Sequence, residues 1–306
     1  MKKTILFLIF IISLVLIAYF NSLHNPFIWD EEEIIVRNPI IKDWYYLKEI
    51  FKTNIFGTGI KPGGYYRPMY TLSFMLDYHL WGLNTTGYHI FNITLHILNS
   101  LLLCFLFIRL GLGVKIAYLD GILFALYPIN CEAVSLIAAR VEPLAAFFSL
   151  LCFIFFVNGV KERKFNFFLS VIFFIMALST KESGLILPFI ALIYSFLLVE
   201  KKGRPKAKFT LIILISLAAI YALIRLILLR HDTVATLSLI NNATLAERVS
   251  TLPRILVTYI ALTVLPISLK SEYDFVVYSF NEPSAWFGAA FLIALFFCIY
   301  RYLKPR

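Results

Sequence analysis

Four consecutive carboxylates, Asp30-Glu31-Glu32-Glu33, follow Trp29 just after an apolar run from Thr4 to Phe20. A carboxylate held at a bilayer surface can act as a general base. Two adjacent ones could also share a divalent cation, so Asp30 and Glu31 are the candidate ligands if a metal is used. The plainer alternative is a solvated acidic patch. Arg67 lies in Tyr65-Tyr66-Arg67-Pro68. Its planar fork matches phosphate oxygens, although an arginine near a membrane also snorkels to lipid headgroups. Glu132, Arg140, Glu142, Lys181, Glu182 and Arg225 fall near the ends of apolar runs. Ionisable groups at such depth are expensive, so their convergence on one side marks a candidate site. Lys181-Glu182 and Arg140/Glu142 could equally be self-satisfied ion pairs that join helices.

His89 and His96 are seven residues apart, which puts them on one helical face with Asn92 and Asn99. Packing histidines fit that pattern as well as a supporting role for His89 does. There is no HExxH, Walker A or Rossmann glycine pattern, so no metalloprotease or soluble nucleotide site is indicated. Cys104, Cys131, Cys152 and Cys298 lie in or beside apolar runs without CxxC spacing and read as small buried hydrophobes.

These residues must be positioned by membrane helices. The chain has 306 residues, 60% hydrophobic and only 15% charged, with mean hydropathy +0.83. A soluble domain of that size is nearer a quarter charged. The net charge of +10 is not on one face but in short clusters between apolar runs, which argues against nucleic acid and for the positive-inside rule. The predicted spans are 4–20, 87–108, 115–128, 142–159, 165–180, 183–199, 209–229 and 285–303. Fifteen of the 28 Lys and Arg residues then sit at inner ends, in clusters such as Arg109/Lys115, Lys161/Arg163/Lys164 and Lys201–Lys208. The expectation is an all-α, polytopic integral membrane protein of about eight transmembrane helices, a single domain over 1–306 with both termini cytoplasmic. Loops 21–86 and 230–284 face outward. In the first, Ile41, Trp44, Leu47 and Phe51 share one face of a predicted interfacial helix. Tyr66–Trp81 is read as a second interfacial helix, because Arg67, Pro68 and Asp77 would otherwise enter the bilayer. Ile255–Leu269, interrupted by Pro266, is read as re-entrant or interfacial in the last outer loop.

In this order, Phe27-Ile28-Trp29-Asp30-Glu31, Tyr66-Arg67-Pro68-Met69, Leu76-Asp77-Tyr78, Gly87-Tyr88-His89, Leu123–Ile129, Arg140-Val141-Glu142, Ser179-Thr180-Lys181-Glu182 and Leu265-Pro266 form a recognisable series. The chain resembles the GT-C superfamily of membrane glycosyltransferases, and within it the membrane part of the transmembrane and tetratricopeptide-repeat (TMTC) proteins, relatives of the protein O-mannosyltransferases. The resemblance implies a polyprenyl-phosphate sugar donor used on the lumenal or periplasmic side. It also implies a mannose or other hexose moved with inversion to an acceptor hydroxyl on a protein or glycan. Asp30 would be the general base and Glu31 the second acid. Arg67, Arg140 and Lys181 would hold the donor phosphate, with His89, Glu142 and Glu182 in support. The expected location is the inner membrane in a prokaryote or the endoplasmic reticulum in a eukaryote. The acidic pair permits a divalent cation without requiring one. Family members usually continue into further helices and a repeat domain, so a minimal form, a fragment or a subunit needing a partner is expected. A flippase or transporter of a lipid-linked substrate, or a non-catalytic assembly subunit, would use the same charges differently. The first of these predicts inverted halves, which the sequence lacks.

Overall fold

The computed structural model describes residues 2–56, 65–162, 165–199, 203–228, 244–267, 269–270 and scattered positions between 286 and 297. The described regular structure is helical: α1 Lys2–Tyr19, α2 Pro68–Trp81, α3 Thr85–Leu110, α4 Val114–Leu126, α5 Cys131–Ser135, α6 Val141–Lys161, α7 Phe165–Leu178, α8 Leu187–Leu197, α9 Arg204–Leu228 and α10 Leu245–Val264. Two compact units result, Met1–Val234 with α1–α9 and Ala235–Arg306 with α10.

Among the described residues four segments are long and apolar enough to cross a bilayer: Thr4–His24, Thr85–Leu110, Ala138–Lys161 and Arg204–Arg225. Val114–Leu126 with Pro128–Ser135 makes a fifth if the 47° bend between them lies within one span. Pro128 explains the break, because its ring cannot continue the helix begun by α4. Phe165–Leu178 and Glu182–Leu197 are apolar but shorter. At 1.5 Å per residue, the 14 residues of α7 reach only about 21 Å, against a hydrocarbon layer of about 30 Å. The predicted 285–303 span lies mostly outside the described residues.

Local chemistry sets the helix ends. Asn84 caps α3 by accepting from the Thr86 N–H at 3.1 Å. Gly111, at φ 89, closes α3 in the left-handed region that glycine enters most freely. Thr244 and Glu247 form a reciprocal capping box at the start of α10. That helix begins about ten residues before the apolar stretch expected from Ile255 and runs through Pro253. Gly121 lets α4 approach α3, since a Cβ there would meet the Cys104 Sγ at 2.0 Å.

One apolar core joins α3, α6, α7, α8 and α9 around Phe148, Phe156, Phe174 and Leu214. A second lies under the first long loop and contains Ile34, Ile35, Ile41, Ile50, Tyr70, Phe74, Tyr88 and Ile137. The loop is more tightly wound than expected. Ile40–Lys42 and Trp44–Phe51 are 3₁₀ helices, interrupted at Asp43, whose carboxylate caps the second through the Tyr45 N–H at 2.9 Å. The predicted α-helical face is therefore not formed. Ile41 and Ile50 are buried, whereas Trp44, Leu47 and Phe51 are exposed. The polar face of α3 did form, and it is a packing seam. Asn92 reaches the Val134 and Leu136 carbonyls, His96 the Ala125 carbonyl and Asn99 the Pro143 carbonyl. His89 meets the Asn25 carbonyl at 3.2 Å.

Candidate functional site

The four acids do not behave alike. Glu31 is buried to 1% exposure. One of its oxygens accepts from the Ile28 N–H and the other from the Ala138 N–H, each at 2.9 Å. Glu32 and Glu33 both lie against Arg37, at 3.3 and 3.7 Å. Asp30 is exposed, and among the described residues its carboxylate has no hydrogen bond or ion pair. Its neighbour Trp29 is held at φ 52 with 69% of its surface exposed. A non-glycine residue in that region stores strain, which collects at functional sites. A one-turn π-helix, Glu32–Val36, follows immediately. Such turns are rare and are also frequent at functional sites.

These facts bear on the pair of acids that could share a cation. Both Glu31 oxygens accept from backbone N–H groups and the side chain is buried, whereas the Asp30 carboxylate is open. Among the described residues, no group of three or more His, Cys, Asp or Glu side chains has metal-binding geometry.

Burial pushes the Glu31 carboxyl up, against the N–H groups of Ile28, Ala138 and Ile137 and the charge of Arg140. A raised carboxyl keeps its proton longer in the folded state than in the unfolded one. Stability should therefore fall as pH climbs from the ordinary carboxylate value through the raised one. Glu31→Gln, with no proton to lose, should flatten that slope in thermal unfolding of the protein in micelles. Glu31→Ala should cost about 1–3 kcal/mol for each N–H left buried and unpaired. Wild-type stability in that variant would show that the loop is anchored elsewhere.

The basic residues divide in the same way. Arg140 is fully buried. Its guanidinium lies 2.5 Å from Asp77 and donates to Asn92 at 2.7 Å and to the Tyr88 carbonyl at 3.0 Å. Phe74 and Phe91 cover its faces, at 4.5 and 4.4 Å. Arg140 therefore fastens α2 to α3 and has no open face to offer a phosphate. This departs from the role expected for it.

Arg67 and Lys181 sit at the edge of the bundle. Arg67 contacts Glu182 at 3.0 Å, Arg225 contacts the other Glu182 oxygen, and Lys181 pairs with Glu142. The expected self-pairs, Lys181-Glu182 and Arg140/Glu142, are thus replaced by longer-range ones. Three cations face two carboxylates, which leaves one positive charge in excess. Burial weakens the charged form of Arg67, and Tyr70, Tyr65, Glu142 and Tyr221 act the other way. The Tyr65 ring also lies under its guanidinium, at 4.3 Å. The Met69 N–H donates to the Ser179 carbonyl at 3.1 Å, tying the start of α2 to the Lys181 turn.

Tyr70 links the acidic and basic sides. It is buried, donates its hydroxyl to the Ala138 carbonyl at 2.7 Å, and feels the charges of Arg140, Arg67, Glu31 and Asp30. Neither Tyr70 nor Arg225 was assigned a role from the sequence. Arg225 stood out only as a charge at a helix end.

A multi-pass helical membrane protein whose first long loop carries an exposed, unpaired acid, with a charge cluster at the edge of the bundle, is the class these features define. The homologues of this chain are protein O-mannosyl-transferases of the TMTC type. Protein O-mannosyl-transferase F38B6.6 of Caenorhabditis elegans is 36% identical over 200 residues, 62% of this chain and 28% of that protein. Human TMTC2 is 32% identical over 158 residues, 50% of this chain and 19% of that protein. Mouse TMTC3 is 29% identical over 203 residues, 64% and 22% respectively. The matched region is thus less than a third of the length of these relatives. No family model matches the chain, and no solved structure matches it.

Proposed function

We infer that this chain transfers mannose from a polyprenyl-phosphate carrier to a protein hydroxyl, the activity its relatives' names point to with the donor that the GT-C resemblance implies. The observation that carries the reading is the sorting of the acids: of four adjacent carboxylates, Asp30 alone is exposed and unpaired. In this reading Asp30 takes the proton from the acceptor hydroxyl as its oxygen bonds to C1 of the sugar. The bond from C1 to the phosphate oxygen breaks, and C1 inverts. The polyprenyl phosphate leaves with that electron pair.

A phosphodiester donor carries one negative charge and gains another as it becomes the leaving phosphate. The excess positive charge around Arg67 and Lys181 suits that change, and electrostatic holding of a developing anion is a large catalytic effect in general. Arg140, buried against Asp77, has no part in it. The topology that goes with the reading has eight spans, both termini in the cytoplasm, and Asp30 outside. The Trp44–Phe51 helix and α2 then lie in the interface, where exposed Trp44, Tyr45 and Trp81 suit an aromatic belt.

The test supplies membranes containing the protein with polyprenyl-phosphate mannose, or with GDP-mannose while synthesis of the lipid-linked donor is blocked. Mannose should reach protein from the first source only. Transfer from the nucleotide sugar alone would overturn the donor, and transfer from neither would overturn the enzyme reading.

A further inference from the structure

At the opposite end of the bundle, α7 and α9 leave a groove of about 620 Å³ between them. Phe167, Phe168 and Val171 form one wall, and Lys206, Phe209, Thr210 and Ile213 the other. The second set follows i, i+3, i+4, i+7 spacing, one continuous stripe of α9. The lining is apolar except at Lys206 and Thr210, and Phe168 and Phe209 remain exposed.

Among the described residues, three cations at this end are satisfied. Arg109 donates to Asn158 and pairs with Glu162, and Lys161 donates to the Arg109 carbonyl. Arg204 donates to the Val199 and Phe196 carbonyls, closing the end of α8. Lys206 and Lys208, on the first turns of α9, are exposed and have no ion pair or hydrogen bond among the described residues. An apolar trough about 10 Å long from Lys206 to Ile213, with the free Lys206 ammonium at its mouth, has the chemistry of a phosphate head joined to a hydrocarbon tail.

We propose that this groove binds one anionic glycerophospholipid, with an acyl chain between α7 and α9 and its phosphate at Lys206. The site is separate from the charge cluster around Asp30 and does not depend on the transfer reaction.

The test uses the full chain purified in detergent and exposed to equal amounts of phosphatidylglycerol and phosphatidylcholine, with bound lipid counted by native mass spectrometry. Phosphatidylglycerol should be retained preferentially. Lys206→Gln should reduce that preference about fivefold, since a cation near an anionic headgroup contributes about 1 kcal/mol. Ile213→Trp should fill the trough and reduce retention of both lipids. Lys115→Gln, on another helix, should change nothing. Equal retention of the two lipids, or a preference that survives Lys206→Gln, would overturn the proposal. So would retention unaffected by Ile213→Trp in a protein that unfolds at the wild-type temperature.

Discussion

On the proposed function, Asp30→Asn should remove mannosyl transfer and leave the protein as stable as the wild type. Loss of a general base lowers rate by about 10²–10⁴-fold. Asp30 is exposed and unpaired, so its replacement should move stability by no more than about 0.5 kcal/mol. The contrast with Glu31 makes the experiment decisive. Glu31→Gln changes a buried staple between the first loop and the Ala138 turn, so it should alter activity and stability together. If Asp30→Asn keeps its transfer rate in the membrane assay while Glu31→Gln loses it without unfolding, the base is Glu31 and the assignment fails. The neighbouring strain adds a check. Trp29→Gly relieves the positive φ, so any loss of activity there would come from the missing ring and not from a weakened loop.

The second large effect is structural. Arg140→Met strands the Asp77 carboxylate at about 1% side-chain exposure. Removing one member of a buried ion pair typically costs about 3–5 kcal/mol, because the other charge is left uncompensated. Asp77→Leu together with Arg140→Met should recover much of that loss, since a packed apolar pair needs no desolvation. Thermal unfolding in micelles measures both. A wild-type melting temperature for Arg140→Met, with only the KM for the lipid-linked donor raised, would return Arg140 to the phosphate site.

The sequence made some of this legible and hid the rest for physical reasons. The helices at 85–110, 141–161 and 204–228 could be placed within a few residues, because apolar runs bounded by Gly111, Lys161 and Arg204 leave little choice. The bend after Leu126 was marked by Pro128, yet a hydropathy pattern does not give an angle. The 41–52 segment misled because its apolar spacing fits 3.6 residues per turn, whereas Pro39 and the Asp43 cap wind it into 3₁₀ turns. Within the site, charge type and clustering pointed to Asp30, Arg67, Arg140, Lys181 and Glu182. Partner choice was invisible. Arg67 meets Glu182 across 115 positions and Glu31 meets Ala138 across 107, and no local spacing encodes such contacts. Burial separated Asp30 from Glu31, and Arg67 from Arg140, although each pair looks alike as letters.

Glu182 sits at a junction of chain segments made at very different times. Its two oxygens serve Arg67 and Arg225, so the bridge needs Arg67 and a helix, α9, that is finished 161 residues further on, at Leu228. During synthesis Glu182 first has only Arg67 available, and the second oxygen waits for α9 to enter the bilayer. The charge cluster therefore closes only once α9 has been made. A ribosome-bound chain halted before Arg225 would carry the acidic loop and most of the bundle while its cation network was still open.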